Sequence, residues 1–380
     1  MVSAFLVVVL LASYRALACS SVMVPHSRTK VMGKNYDWFW THGRVFVNRK
    51  NMTRRALVAP GLKPHVWTAR HASVTFNQIA EHFPMGGMNS AGVAMEILMG
   101  PADYPATSRK PAINELQFIQ FILDTSATVK EAVERARTVE IIPMSGYHLH
   151  YHACDRTGQC VVFEYNGGKL AAHFEKDSAN HDNPFVLTNG RFSRELKARG
   201  EIAPPVEGKA EEKQLREILE GRATTTDDEL FSPRVRTACQ MAAQYPRNPD
   251  TDDVAFMLGL LERIKLFPQW QIIYQLGETA VQFRSKVTES SWSPLRRFSF
   301  AAFPAKDVDC RTSPGASRRF DLSTDGPEKS VVLEQTDFAT EDKGTDLISQ
   351  SDEILRHLPA QAVQALRNYS KIFTKCEIAE

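Results

Sequence analysis

Cys19 is the residue of this sequence best suited to nucleophilic chemistry, because of what precedes it. Residues 4–12 form an apolar run too short to span a membrane, and Ala16 and Ala18 fit the small-residue cleavage site of a secretory signal peptide. Cleavage after Ala18 would make Cys19 the first residue of the mature chain. Its thiol and free α-amino group would then be a nucleophile and a general base on one residue. The ordinary pKa of an α-amine, about 7.7–8.0, suits it to accept the thiol proton near neutral pH.

Two other interpretations of Cys19 stay open at this point. It could be an ordinary small residue after a leader, or the lipid-bearing cysteine of a bacterial lipoprotein. Lipoprotein sites usually place Leu three residues before the cysteine, whereas here Leu17 is two residues before it and Ala16 takes that position. Lipidation would also block the amine. A non-catalytic exported binding protein is therefore an alternative to an enzyme.

The composition is that of an ordinary globular protein. The chain has 380 residues, of which 43% are hydrophobic and 24% charged, and this length suits one large domain or two medium ones. The formal net charge of +2 gives no reason to expect nucleic acid or an anionic membrane as a partner. After the leader, no apolar run is long enough for a membrane span. A homo-oligomer is compatible with this composition.

Six cysteines in an exported chain could form disulfides. Cys154 and Cys160 flank a turn between two strand-like runs, which predicts a cross-strand bridge. If Cys19 stays free, five cysteines remain, so at least one more must be unpaired.

The order of elements predicts an α+β fold. Helical periodicity predicts helices at residues 114–123 and 128–137, the second opened by a capping box at Thr128, and in three pieces between 211 and 264. The glycine-rich residues 85–89 are predicted to connect two strands. Short β-prone runs predict strands at residues 19–24, 30–38, 45–48, 73–79, 92–99, 147–154, 159–165, 169–174, 185–187, 270–276, 280–285 and 297–303. This order favours antiparallel sheets with helices on the outside.

The chain divides into four segments in this interpretation. We expect a signal peptide at residues 1–18, a single folded domain at 19–303, a loop-rich extension at 304–345 and a helical tail at 346–380 that packs on the same domain. The expected location of the mature protein is outside the cytoplasm, either periplasmic or secreted.

Four short motifs follow Cys19 in a fixed order. Residues 33–38 read Gly-Lys-Asn-Tyr-Asp-Trp, residues 87–93 Gly-Met-Asn-Ser-Ala-Gly-Val, residues 186–189 Val-Leu-Thr-Asn and residues 232–236 Ser-Pro-Arg-Val-Arg. Together they resemble the choloylglycine hydrolase family, N-terminal nucleophile amidases that include bile salt hydrolases and penicillin V acylases. Each motif is weak alone, but their joint order behind a predicted terminal cysteine is specific.

The resemblance implies both a fold and a reaction. The fold would be the four-layer αββα sandwich of the N-terminal nucleophile hydrolases. The reaction would be cofactor-free and metal-free hydrolysis of a linear, non-peptide C–N amide bond through a thioester acyl-enzyme. The substrate would be a small-molecule amide with a hydrophobic acyl group, because apolar residues (Phe83, Met85, Met88, Met95 and Met99) occur in the segments that frame the site in relatives. Bile salts, penicillin V, acyl-homoserine lactones and other N-acyl amides all stay open.

The resemblance also assigns roles to individual residues. Cys19 would be the nucleophile, Asp37 would accept a hydrogen bond from its α-amine, and Asn189 would donate its side-chain amide to the oxyanion hole. Arg234 would steady Cys19 and Asp37. Arg236 is a rival for this role, because the spacing here differs from the family's.

The sequence departs from the family pattern at two positions. Lys34 replaces an arginine, so the positive charge expected near Cys19 is kept but the bidentate geometry is not. Met99 falls where bile salt hydrolases have a second asparagine. The polar side chain is lost there, but the main-chain N–H of Met99 can still serve as the second oxyanion donor.

A second constellation predicts different chemistry. His148, His150 and His152 alternate along a predicted strand, so all three side chains would face the same way. Such a set could bind zinc and leave an open position for water, which makes a metallohydrolase the alternative enzyme. No Asp-x-His-His or His-Glu-x-x-His partner motif accompanies these histidines.

Overall fold

The computed structural model describes residues 19–38, 43–78, 80–145, 147–174, 184–192, 227–246, 248, 250–288, 290–303, 308–312, 318–321, 339–340 and 374–376. The predicted leader at residues 1–18, the first predicted helical piece from residue 211 to a break near 224, and most of the predicted extension and tail lie outside these residues. Within the predicted tail, Thr374–Cys376 forms a strand.

The described residues form twenty-one strands and four α-helices, numbered here in chain order. The strands are β1 (Ser20–Val24), β2 (Val31–Asp37), β3 (Arg44–Asn48), β4 (Met52–Arg55), β5 (Val66–Thr68), β6 (Ser73–Asn77), β7 (Pro84–Asn89), β8 (Ala94–Met99), β9 (Ala112–Asn114), β10 (Glu140–Ile142), β11 (Leu149–Cys154), β12 (Cys160–Asn166), β13 (Lys169–Phe174), β14 (Phe185–Leu187), β15 (Pro268–Gln275), β16 (Ala280–Thr288), β17 (Ser291–Trp292), β18 (Arg296–Ser299), β19 (Arg318–Asp321), β20 (Ala339–Thr340) and β21 (Thr374–Cys376). The helices are α1 (Gln117–Thr125), α2 (Val129–Ala136), α3 (Asp227–Ala243) and α4 (Asp253–Ile264).

Two antiparallel sheets form the centre of the protein. The first has the order β14-β1-β2-β15-β16-β17, with β18 also pairing with β16. The second has the order β13-β12-β11-β8-β7-β6-β3-β19-β20. Helices α3 and α4 pack on the outer face of the first sheet, and α1 packs on β7 and β8 of the second. This is the αββα arrangement that the resemblance implies, and it agrees with the antiparallel sheets and outer helices that the element order predicts.

The buried strands of the first sheet carry apolar residues on both faces. Val22 and Val24 of β1 belong to the cluster under α3 and α4, whereas Met23 belongs to the core between the sheets. Successive side chains of a strand point to opposite faces, so one short strand contributes to two cores. Burial on both sides holds the start of β1 firmly in place, and Cys19 immediately precedes it.

The interpretation of residues 85–89 as a connection is wrong. Pro84–Asn89 is β7, a central strand that pairs with β6 and β8. Its glycines are explained by crowding, because a Cβ on Gly86 would lie 2.2 Å from Oε1 of Glu96 on β8. A glycine-rich composition therefore does not exclude a strand where a neighbouring side chain occupies the space that a Cβ would need.

Local signals elsewhere predicted the structure well. Thr128 caps α2 by accepting a hydrogen bond from the Glu131 N–H, and the Glu131 carboxylate accepts one from the N–H of Ala127. The predicted strand at residues 297–303 is corrected at its end, because β18 stops at Ser299 and a 3₁₀ turn follows.

Four of the six cysteines form disulfides. Cys154 and Cys160 are bonded, as predicted, and the second disulfide joins Cys310 to Cys376. Cys19 and Cys239 are not in a disulfide. In the described part of the chain, no helix is long and apolar enough to cross a membrane.

Candidate functional site

Cys19 lies at the start of β1, between β14 and β2 in the first sheet. It is 4% exposed, and its thiol donates a weak hydrogen bond to the main-chain oxygen of Asp37 at 3.7 Å. Burial raises the pKa of the thiol, and the charge of Lys34 is the largest effect opposing that rise. The carboxylate of Asp37 raises this pKa further, and Arg234 lowers it.

Asp37 ends β2 and is fully buried. Its Oδ1 accepts hydrogen bonds from the N–H groups of Leu266 at 3.1 Å and Phe267 at 2.6 Å, just beyond α4. Its Oδ2 has no hydrogen-bond donor among the described residues. Burial raises the pKa of Asp37 to about 6, although Arg234 and the two N–H groups favour the charged form. A buried carboxylate oxygen without a donor is unusual in a folded protein.

Asn189, Arg234 and Met99 meet beside Cys19. The Asn189 side-chain amide donates to the Met99 main-chain oxygen at 2.7 Å. One terminal nitrogen of Arg234 lies 3.3 Å from Oδ1 of Asn189 and 3.4 Å from the Cys19 main-chain oxygen. Arg236 is only partly buried on the same helix, and two helical positions apart do not share a face. The structure therefore places Arg234, and not Arg236, at Cys19.

Lys34 belongs to a buried polar network between the two sheets. Its Nζ donates to the Ile97 main-chain oxygen at 2.5 Å and lies 3.5 Å from Oε2 of Glu96. The hydroxyl of Tyr274 donates to the other oxygen of Glu96. Burial raises the pKa of Glu96 to about 7, opposed chiefly by the charge of Lys34.

Sequence reasoning missed Glu96. It interrupts the apolar run Ala94 to Met99, and a carboxylate in a fully buried strand requires a partner. A single charged residue within this apolar run was the sequence feature that could have indicated a buried ion pair. Its partner, Lys34, lies on the other sheet and is identified only by the packing.

The three alternating histidines have three different sets of partners. His148 Nδ1 lies 2.5 Å from the Ala102 main-chain oxygen, and His150 lies between Glu164 and the Thr188 main-chain oxygen. His152 Nδ1 lies 2.9 Å from the Ser21 hydroxyl. His152 also groups with the two bonded cysteines, whose sulfurs are in a disulfide and are not thiolate ligands. These ring nitrogens face protein groups, which favours structural roles over the zinc alternative.

Tyr36, which interacts electrostatically with the Cys19 thiol, belongs to a group of aromatic side chains. Tyr36 stacks on Trp270 with ring centroids 4.4 Å apart, and Trp38 lies between Tyr36 and Tyr147 at 6.2 and 5.8 Å. Trp38 and Tyr147 are only partly buried. Most of the apolar residues expected to frame the substrate are instead part of the main core. Phe83, Met85, Met88 and Met95 are buried there, and of the five only Met99 is partly exposed.

The architecture is that of the N-terminal nucleophile hydrolases. The structure of penicillin V acylase from Agrobacterium tumefaciens superposes with a TM-score of 0.66 at 18% identity, covering 85% of this chain and 98% of that one. A variant of conjugated bile acid hydrolase from Clostridium perfringens superposes with a TM-score of 0.55 at 14% identity, covering 76% and 94%. At these identities the likeness establishes the fold.

Sequence comparison points to the same proteins. A family model described as acyl-coenzyme A:6-aminopenicillanic acid acyl-transferase matches residues 24–203. Penicillin V acylase from Pectobacterium atrosepticum is 26% identical over 212 residues, covering 50% of this chain and 54% of that protein. The chain thus spans about half the length of this curated relative. The resemblance to the choloylglycine hydrolase and penicillin V acylase family, carried by the four motifs, is confirmed.

Proposed function

We propose that the mature chain is an exported cysteine amidase, which hydrolyses a linear, non-peptide C–N amide bond through a thioester on Cys19. One observation carries the proposal: a free buried thiol, a carboxylate oxygen without a donor and an oriented side-chain amide converge at the start of β1. Cys19, Asp37 and Asn189 supply these groups. The described residues thus supply the nucleophile, the orienting carboxylate and one oxyanion donor that acyl transfer requires.

The base in this mechanism is the α-amine that cleavage after Ala18 would release. Oδ2 of Asp37 is the oxygen available to accept a hydrogen bond from that amine and to orient it. The amine takes the thiol proton, and Sγ attacks the amide carbonyl carbon. The positive charges of Lys34 and Arg234 favour the thiolate against the effect of burial.

The oxyanion is held by Asn189 and, in this proposal, by the main-chain N–H of Met99. An amide nitrogen carries two hydrogens. One is committed to the Met99 main-chain oxygen, and this bond orients the other toward the substrate. When the tetrahedral intermediate collapses, the C–N bond breaks and the Cys19 ammonium returns its proton to the leaving amine. Water then hydrolyses the thioester by the same proton route.

Export is supported by the cysteine chemistry. The Cys154–Cys160 and Cys310–Cys376 disulfides are typical of oxidising compartments such as the periplasm or the extracellular space. A cytoplasmic amidase of this kind would have little reason to keep four cysteines in pairs.

The substrate class in this proposal is an N-acyl amide with a hydrophobic acyl group. Trp38 and Tyr147 are the partly buried aromatic residues available to contact such a group. The test is an assay of the mature protein with penicillin V, a conjugated bile salt and an N-acyl-homoserine lactone, following release of the amine or acid product. Hydrolysis of at least one supports the amidase, whereas inertness toward all three, with Cys19 free and reactive, would contradict it.

We expect Lys34 to act through its charge on the thiol. Lys34→Met, which keeps most of the side-chain volume, should raise the pKa seen in thiol alkylation and slow acylation by about tenfold or more. Because Glu96 would then lack its cation, the double variant Lys34→Met with Glu96→Gln is the control for buried-charge effects. Lys34→Arg keeps the positive charge and should retain activity on a small generic amide. An unchanged rate and pH profile in Lys34→Met would show that the charge of Lys34 does not contribute to catalysis.

We expect kcat/KM to fall on the acid side of the pH profile. Burial raises the pKa of Asp37 to about 6 in the chain that still carries residues 1–18, and the Cys19 ammonium of the mature chain would lower this pKa, so the loss of activity should begin below about pH 6. The protonated form cannot accept the hydrogen bond from the Cys19 ammonium as strongly, and activity is lost on the acid side. Asp37→Asn should have a low kcat/KM at every pH and should not show the further loss at acid pH. The matched control is Asp253→Asn, because Asp253 is a buried carboxylate of α4 that accepts a hydrogen bond from Thr29. This control variant should still lose activity at acid pH, as the wild type does.

A further inference from the structure

The His150 ring touches both segments that carry the proposed oxyanion donors. His150 lies on β11 and is fully buried. Its Nε2 lies 2.8 Å from the main-chain oxygen of Thr188, the residue before Asn189. The same ring packs on Gly100, the residue after Met99, so closely that a Cβ there would lie 2.5 Å from ring atoms Cε1 and Nε2. Only glycine at position 100 allows this approach.

Glu164 fixes the orientation of that ring. Its Oε1 lies 3.1 Å from Nδ1 of His150 and also accepts the N–H of Phe192 at 2.8 Å. Its Oε2 lies 3.4 Å from Nε2 of His173. Burial opposes ionisation of Glu164, but hydrogen bonds from His150 and His173 lower its pKa to about 2. The loop at residues 188–192 is therefore held at one end by His150 and at the other by Glu164.

The two partners of His150 are both acceptors. A carbonyl oxygen and a carboxylate cannot donate, so both hydrogen bonds form together only when both ring nitrogens carry hydrogen. A doubly protonated ring beside an ionised Glu164 forms a charge-assisted pair, which is stronger and more directional than a neutral hydrogen bond. His150 has none of the catalytic groups as a hydrogen-bond partner, so its effect on them passes through Thr188 and Gly100.

We propose that His150, oriented by Glu164, is a positioning residue for the oxyanion hole. It fixes the Thr188–Asn189 backbone relative to the Met99–Gly100 backbone, so that the two donors converge on one point. This inference rests on the proposed function, since it assigns a role within that site. Misplacement of a catalytic donor by about 1 Å is enough to cost roughly a hundredfold in rate.

Two amide substitutions separate the two hydrogen bonds of the ring. In His150→Gln the side-chain nitrogen can reach the position of Nε2 and keep the bond to Thr188. In His150→Asn it can reach only the position of Nδ1 and keep the bond to Glu164. With penicillin V as the probe, we expect His150→Asn to lose about 10- to 100-fold in kcat with KM little changed, and His150→Gln to stay within a fewfold of the wild type.

Two further variants test the same contact without relying on His150 alone. Gly100→Ala should displace the ring and resemble His150→Asn in its loss of kcat. His152→Gln is the matched control, because His152 is an equally buried histidine on the same face of β11, with Ser21 as its partner. It should lower the melting temperature by a similar amount and leave kcat within a fewfold of the wild type. If His152→Gln lost as much kcat as His150→Asn, the effect of His150 would be one of general packing and not of positioning.

The state of Cys19 is measured separately in every variant. Iodoacetamide alkylates the thiolate by displacing iodide and needs no oxyanion hole, so its rate should be unchanged. Phenoxyacetaldehyde adds the thiol reversibly: a C–S bond forms, the carbonyl π bond breaks, and the proton goes to the oxygen held in the hole. Its affinity should fall at least about tenfold in His150→Asn but not in His150→Gln.

The outcomes are distinguishable. Equal kcat and equal aldehyde affinity in the Gln and Asn variants would overturn the positioning role. A wild-type protein that hydrolyses no amide would overturn the proposed function, and the aldehyde affinities would then decide the inference alone. A wild-type protein whose Cys19 also fails to bind the aldehyde would overturn both.

Discussion

Cys19→Ser should lower kcat for amide hydrolysis by at least about a thousandfold while leaving the fold intact. The two side chains are nearly isosteric, but a serine hydroxyl is a far weaker nucleophile than a thiol near neutral pH. Cys19 is buried at the start of β1, where its thiol donates to the main-chain oxygen of Asp37 and its own main-chain oxygen accepts from Arg234. The measurement is steady-state hydrolysis of the best of the three test amides, with circular dichroism to confirm folding.

The chain provides a matched control for this experiment. Cys239 is the other cysteine of the described residues that is not in a disulfide, and it lies partly buried on α3. Cys239→Ser removes a thiol of the same kind at a position outside the site, so its kcat should stay within about twofold of the wild type. An active Cys19→Ser variant, or an inactive Cys239→Ser variant that remains folded, would assign the chemistry to another residue.

Asn189→Ala should cost about 100- to 1000-fold in kcat, or about 3–4 kcal/mol, with little change in KM. The amide donates to charge that develops only in the tetrahedral intermediate, so its loss affects the transition state more than substrate binding. The comparison of kcat and KM for wild type and variant on one amide measures this directly.

A second substitution separates the donor from its contact with Arg234. Asn189→Asp keeps an oxygen that can accept from Arg234 but removes the N–H donor. We expect it to be as slow as Asn189→Ala. An Asn189→Asp enzyme with near wild-type kcat would show that the contact with Arg234, and not oxyanion binding, is what Asn189 supplies.

Local patterns in the sequence predicted the main strands, and the resemblance to the family supplied the candidate site residues. The strand at residues 30–38 places Lys34 and Asp37 close to Cys19 because β2 pairs directly with β1. Asn189 follows β14, which pairs with β1 on its other side. Neighbouring strands in one sheet thus account for most of the site. The fold class follows from the order of elements for the same reason.

The contacts that sequence reasoning did not predict run between the two sheets. Glu96 reaches Lys34 from the facing sheet, and His150 reaches Thr188 in the same way. Such contacts depend on sheet-to-sheet packing, which no local period encodes. Strand alternation placed the three histidines on one face, but it could not show that each has a different partner. The misassigned β7 has a different cause within one sheet: Gly86 pairs directly with Glu96 on the neighbouring β8, and the Glu96 side chain occupies the space that a Cβ would need.

The central claim is that the base is the α-amine of Cys19, so the state of that terminus tests the account most directly. We would express the full chain, isolate the exported protein and measure its intact mass, with N-terminal sequencing as confirmation. The account predicts a chain that begins at Cys19 with an unmodified amine, and activity that appears only with this form. An active protein with an acylated Cys19, or one that retains residues 1–18, would contradict it.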